Sequence, residues 1–187
     1  SLNPFDRGLS FGDGVFRTFL VKSGYPINWD MHYKKLKADA RILKIQVPQK
    51  KYLLRDIKKL FNDDKAFIGK VIITRGISDQ GYQFSKNIKS TRIVLRINYK
   101  EINRVFVLNG VKLKVCKTRT TYNELYAGAK HLNRIDNVIA KSELDPSVFD
   151  GIMLDKDGYI NECVSSNIFA RYGNVLVSPI QNNAGVS

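Results

Sequence analysis

Lys130 lies in "GAKHLNRIDNVIAK", residues 128–141, directly after Gly128 and Ala129 and before His131, one of only 2 histidines in the chain. By type alone it reads as a solvated surface charge, as Lys141 in the same stretch does. The chemical alternative needs room. A reactive lysine must spend part of its time unprotonated, through partial burial or a neighbouring cation, and two small residues would let a flat ring approach its amine. Glu162, in "GYINECVSSNIF" at 158–169, ends an apolar run before Cys163 and Val164. It reads either as a strand-end carboxylate or as a buried acid facing a protonated ring nitrogen. A lysine that bonds the cofactor and an acid on the pyridine nitrogen form the pair that pyridoxal phosphate requires. His131 could orient Lys130 or satisfy a backbone carbonyl, and His32 reads as packing within its helix.

Bulk composition narrows the classes. At 187 residues, 43% apolar and 11% aromatic, the chain can bury one large core or two small ones. No apolar run reaches the 18 or so residues of a membrane span, and the first ten residues lack a signal peptide's charged start and apolar run. With 2 cysteines and no CxxC or Cys/His cluster, neither a disulfide framework nor a metal site is expected, and a reducing cytoplasm is the default. The net charge of +14 would suit a polyanion. The basic residues are spread along the chain, however, without a nucleic-acid motif, so no nucleic-acid partner is expected. A small acidic substrate is compatible with that charge.

The elements that must position these residues follow from periodicity. "GVFRTFLVKSGYPINW" reads as two strands around Ser23-Gly24. Asn28 or Asp30 caps a helix running to about Ile45, with Tyr33, Leu36, Ala40 and Leu43 on its buried face. A second helix over 49–61 buries Leu53, Leu54, Ile57, Leu60 and Phe61. "AFIGKVIITRGI" and "TRIVLRINY" are strands, and "VKLKVCKT" alternates as a half-buried one. A helix follows over 132–143, then a hairpin turning at Asp157-Gly158 and another at Gly173-Asn174. Hairpins and separate helices without a βαβ repeat imply α+β architecture. The stretch "KEINRVFVLNG" reads as a seam between an α+β lobe at 1–104 and a β-rich lobe at 105–187.

Four segments, "FDRGLSFGDGVFRT", "HYKKL", "GAKHLNRIDNVIAKSEL" and "DGYINECVSSNIF", stand in the order and spacing of the class IV, fold type IV aminotransferase-like family, which the chain resembles over nearly its whole length. The resemblance implies a two-lobed fold, pyridoxal 5'-phosphate as cofactor and a homodimer. It makes Lys130 the Schiff-base lysine and catalytic base, and Glu162 the acid on the pyridine nitrogen. It puts Lys35 where the family's phosphate-binding arginine stands, a point charge in place of a two-pronged fork. Transaminating relatives carry tyrosine or glutamate in the segment that here reads Phe16, Arg17 and Thr18. Together with the "KHLNR" form, this implies the family's lyase branch, a carbon–oxygen lyase turning 4-amino-4-deoxychorismate into 4-aminobenzoate and pyruvate on the way to folate. Thr18 is then a candidate proton donor to the leaving group, and Arg17 and Tyr82 are candidates for substrate contact. In the loop matched by "SDQGYQF", Gln80 stands where relatives place a basic residue for the substrate carboxylate. The alternatives are a D-amino-acid or branched-chain aminotransferase, and a non-catalytic basic domain whose site has decayed. Relatives continue beyond the match at Ala184-Gly185-Val186 and begin before Ser1, so a phosphate cradle is expected from residues outside this chain.

Overall fold

In a computed structural model of the chain, residues 2–180, 184 and 185 are described. They form two compact units. The first comprises Ser1–Lys100 and Lys130–Asn133, the second Glu101–Ala129 and Arg134–Ser187. Val186 of the motif match lies outside the described residues.

The first unit runs α1 (Arg7–Phe11), β1 (Gly14–Lys22), β2 (Tyr25–Pro26), α2 (Trp29–Ile42), α3 (Lys50–Leu60), β3 (Phe67–Thr74) and β4 (Thr91–Asn98). Its sheet is antiparallel with order β2-β1-β3-β4. The expected hairpin at Ser23-Gly24 is present, and both turn residues adopt positive φ. Strand alternation puts Val15, Phe19, Val21, Val71 and Ile73 on one face, where they pack on Trp29, Leu36, Ala40, Leu53 and Ile57 of the two helices. Full burial of each such side chain contributes about 1.5–3 kcal/mol. Trp29, expected at a strand end, opens α2 instead. Asn28 precedes it at φ 54 without a side-chain cap bond, and Asp30 supplies the first-turn acid. Leu60 is half-exposed, while Phe61, one residue on, is buried against Phe67.

The second unit contains α4 (Arg104–Asn109), β5 (Leu113–Val115), α5 (Ile135–Ser142), β6 (Asp150–Leu154), β7 (Ile160–Cys163), β8 (Ala170–Tyr172) and β9 (Val175–Val177). Its core joins Cys116, Ala140, Met153 and Val164, with Leu144 packed against it. Both expected hairpins form, β6 with β7 and β8 with β9. Asp155 Oδ1 accepts the Asp157 and Tyr159 N–H groups and shapes the first turn. Two elements depart from expectation. The "seam" contains a helix, α4, capped by the Asn103 side chain on the Val105 N–H. β5 keeps only three residues, all exposed, because it is an edge strand paired with β6 alone and only Cys116 turns inward.

Candidate active site

The two faces of β1 do different work. Val15, Arg17, Phe19 and Val21 point into the core of the first unit, while Phe16, Thr18 and Leu20 alternate onto the half-exposed opposite face. Across the ladder Thr18 stands opposite Lys70 and Phe16 opposite Ile72, so directly facing side chains share that second face.

Lys130 enters this unit as an added strand. The edge of β1 that β2 leaves open is taken by residues 130–132. Val15 bridges His131, the Phe16 N–H donates to the Lys130 carbonyl at 2.9 Å, and the Leu132 N–H to the Gly14 carbonyl at 2.9 Å. Gly14 permits the approach, since a Cβ there would stand 2.7 Å from Leu132 Cδ1 and 2.8 Å from the Ile73 carbonyl. The helix expected over 132–143 therefore starts only at Ile135. Lys130 Nζ lies 5.4 Å from the centroid of the Phe16 ring, and Lys70 Nζ lies 4.5 Å from the same centroid. Sequence reading missed Lys70. Its only signal was a lysine inside an otherwise apolar strand. Thr18, exposed and opposite Lys70, lies on the same face. His131 is buried in this strand pairing. His32 packs its ring 5.6 Å from that of Phe19, and burial first, then the Arg17 charge, lowers its pKa.

Arg17 has a different place from the substrate contact expected of it. It lies on the core face, 9% exposed, with Nε 2.9 Å and Nη2 2.5 Å from Asp39 Oδ2. Asp39, on α2, is 1% exposed. Burial raises its carboxyl above the ordinary 3.8, outweighing in turn the opposing charge and hydrogen bonds of Arg17, the charge of Lys35 and the backbone N–H of Lys130. Oδ1 of this buried carboxylate has no hydrogen-bond partner. Lys35 is half-buried one turn before Asp39 on the same helix.

Tyr82 projects from the loop after β3, 86% exposed, its ring 5.4 Å from that of Phe11. The loop's carbonyls are held by buried Arg7, whose guanidinium donates to Gly81, Tyr82 and Gln83. Arg7 and Arg75 share Asp13 at 2.9 and 2.7 Å, and Arg75 also caps the Leu43 and Lys44 carbonyls that follow α2. The "DRG" and "GDG" motifs thus pin the loop to β1 and to the end of α2.

In the second unit Glu162 is 4% exposed on β7, with Met153 as its cross-strand partner. The half-buried Arg134 is its near cation. Burial lowers the Arg134 pKa, and Glu162 is the largest opposing influence. Next to Glu162, the buried Asn161 Oδ1 has no hydrogen-bond partner. Gly185, at φ 78, lies against both. A Cβ there would collide with Asn161 Oδ1 and come within 3.3 Å of Glu162 Oε2. The surroundings of this carboxylate are thus closed to an extra side chain and leave an acceptor to be satisfied. Such surroundings fit an aromatic cation held edge-on to an acid. No group of His, Cys, Asp and Glu among the described residues could hold a metal ion, and no helix among them is long and apolar enough to cross a membrane.

The family model for amino-transferase class IV matches residues 14–186. Among curated proteins, the aminodeoxychorismate lyase of Vibrio harveyi is 31% identical over 166 residues, covering 88% of this chain and 61% of that protein. The aminodeoxychorismate lyase of Bacillus subtilis (strain 168) is 32% identical over 185 residues, covering 95% and 62%. Among solved structures, the 4-amino-4-deoxychorismate lyase of Pseudomonas aeruginosa superposes with a TM-score of 0.91 at 32% identity, covering all of this chain and 69% of that one. The chain therefore spans about three fifths of the length of the curated relatives it matches. The α+β, fold type IV architecture expected from the motifs is the one found.

Proposed function

Because the chain belongs to the class IV aminotransferase family, we propose that the whole protein is a pyridoxal-phosphate lyase converting 4-amino-4-deoxychorismate to 4-aminobenzoate and pyruvate. The observation that carries this reading is the placement of Lys130, its main chain fixed against β1 and its Nζ on the ring of Phe16 beside a second ammonium. The curated relatives at 31% and 32% identity bear the name of that lyase.

Pyridoxal phosphate, when bound, supplies an electron sink in its protonated pyridine ring. Lys130 would hold it covalently, and its amine would serve as the base for the proton on the amine-bearing carbon of the substrate. Glu162 would face the pyridine nitrogen as its acid partner, with the charge of Arg134 beside it. Lys35 receives the phosphate as a point charge. Lys70 offers an ammonium to a substrate carboxylate on the face it shares with Thr18, and Thr18 donates a proton to the departing enolpyruvyl group as the ether C–O bond breaks. Tyr82 contacts substrate from its loop. Arg17 has no place in this set, being committed to Asp39. The working protein is a cytoplasmic homodimer in this reading, and sedimentation of the whole protein at micromolar concentration tests its assembly.

A lyase turns over with cofactor alone, because the amine leaves with the product. A transaminase stops after one half-reaction unless a keto acid is supplied. The test is to incubate the full-length protein with aminodeoxychorismate, without keto acid, and follow pyruvate. Many pyruvates per site are expected. Absence of pyruvate, with conversion of the cofactor to its amine form on adding D-alanine or leucine, would transfer the assignment to an aminotransferase.

A further inference from the structure

Arg7 is buried, and its guanidinium serves one short turn of chain. Nη1 donates to the Gly81 carbonyl at 2.5 Å and to the Gln83 carbonyl at 3.0 Å, and Nη2 to the Tyr82 carbonyl at 3.2 Å. Nε is held by Asp13 at 2.9 Å, and Asp13 is held in turn by Arg75. Three successive carbonyl dipoles that converge on one point repel one another, so the chain takes that shape only around a cation. Both ends of the loop are tied separately. The Arg7 N–H donates to the Gly76 carbonyl at 2.8 Å, and the Ser78 N–H to the Phe5 carbonyl at 3.1 Å. At the far end the Arg75 guanidinium lies 3.8 Å from the centroid of the Phe84 ring. Gly81 adopts φ 56, and the Gln83 N–H closes the turn on the Gln80 carbonyl at 3.2 Å. The backbone is thus held from beneath, while the Gln80 and Tyr82 side chains are exposed and the Tyr82 ring lies against Phe11.

We propose that Arg7 is a positioning residue of the substrate site, setting the shape of the turn at 80–83 and so the place from which Tyr82 meets the substrate. The proposal rests on the reading above that Tyr82 contacts substrate. In it Arg7 touches neither substrate nor cofactor and acts through the backbone it holds. The turn is then set before substrate arrives, and its ordering is not a cost of binding. Without the guanidinium the three carbonyl oxygens converge on no donor, and the turn opens toward water. A lysine cannot replace it, since one ammonium cannot serve Asp13 and three carbonyls at once.

A double-mutant cycle on the full-length protein separates this role from stability alone. Arg7→Met removes the donors and keeps the apolar stem, and Tyr82→Ala removes only the exposed ring. Arg7→Met is expected to raise KM about tenfold with kcat within about twofold, the pattern of lost substrate binding. With Tyr82 already replaced, the same change is expected to raise KM by less than about twofold. Amide exchange of the apoprotein at Gln83 is expected to accelerate about tenfold or more in Arg7→Met and in Arg7→Lys alike. A purely structural arginine would raise KM by the same factor with or without Tyr82. That result, or unaltered exchange at Gln83, overturns the proposal. Should thermal melts show Arg7→Met unfolded, Gly81→Ala takes its place in the cycle. A Cβ there meets no atom within 4 Å but strains a turn at φ 56, so it shifts the turn and leaves Arg7 intact. A KM equal to that of the unsubstituted enzyme in this variant likewise overturns the proposal. Tyr82→Ala with an unaltered KM removes the reading of Tyr82 as a substrate contact, and the proposal with it. A raised KM there, beside an additive effect of Arg7, removes the proposal alone.

Discussion

Lys70 and Lys130 bring their ammonium groups to one aromatic ring, that of Phe16, at 4.5 and 5.4 Å from its centroid. They reach it from separate places in the chain, Lys70 from the middle of β3 and Lys130 from the strand added at the edge of β1. Two ammonium groups on one half-exposed face concentrate positive charge there, which suits an anion.

In the proposed chemistry Lys130 is both nucleophile and base, and Lys130→Ala removes both in one change. The full-length variant is expected to lack the visible band of lysine-bound cofactor, at roughly 410–430 nm, and to lose turnover by orders of magnitude. Lys141→Ala, on the exposed side of α5, changes neither. An absorbance spectrum and a pyruvate assay decide it, and full activity in the Lys130 variant would end the pyridoxal mechanism.

Lys70→Met tests the second ammonium. The side chain keeps its length and its packing on Phe16 but loses its charge. The cofactor band should remain, because Lys130 is untouched. KM for the anionic substrate should rise by roughly ten- to a hundredfold, the scale of one charge-assisted hydrogen bond at about 1.5–3 kcal/mol. A KM equal to that of the unsubstituted enzyme would make Lys70 a passive neighbour of the ring.

Glu162→Gln keeps the shape of a side chain packed between Asn161, Gly185 and Arg134. The cofactor is expected to stay bound while the proton-abstraction step slows, since an amide cannot hold the pyridine nitrogen protonated. An effect of about 2–4 kcal/mol on the barrier is expected, as for loss of one preorganised electrostatic partner. Single-turnover kinetics read it directly, and an unchanged rate would reduce Glu162 to a strand-end residue.

Much of this arrangement was legible in the sequence. The three- and four-residue spacing of Tyr33, Leu36, Ala40 and Leu43, and of Leu53, Leu54 and Ile57, gave the helices and their buried faces. Turn chemistry at Ser23-Gly24 and Asp157-Gly158 gave the hairpins. Motif order gave the family, and the motif positions gave Lys130, Glu162 and Lys35 as candidates. The failures share a cause, which is long-range pairing. Nothing near Arg17 announces Asp39, 22 residues away on a helix face. Strand alternation did place Arg17 opposite to Phe16 and Thr18, a signal that would have separated it from them. The helix expected over 132–143 starts late because Leu132, with Lys130 and His131, pairs along the edge of β1 that is vacant there. Arg7 reads as a surface charge until the three carbonyls it holds, more than 70 residues on, are known.

Glu143 makes a prediction about stability with a definite sign in pH. It follows α5, and its carboxylate accepts the Lys117 N–H at 2.6 Å, the Thr118 N–H at 2.9 Å and the Thr118 hydroxyl at 2.5 Å, strapping the segment after β5 to the helix end. The Thr118 hydroxyl bond first, and then the two backbone N–H groups, lower its pKa from the ordinary 4.5. A carboxyl depressed in the folded state stabilises that state above the unfolded value, and the contribution disappears as pH falls through the folded one. Glu143→Gln is therefore expected to melt below the unsubstituted protein at neutral pH, because the amide keeps one acceptor oxygen where the carboxylate had two. The gap should hold down to the ordinary glutamate range and narrow only below it, as the native carboxyl takes up its proton. Paired melts at neutral pH and on either side of 4.5 measure this. A gap that widened on acidification, or one absent at neutral pH, would show that the strap contributes nothing through its charge.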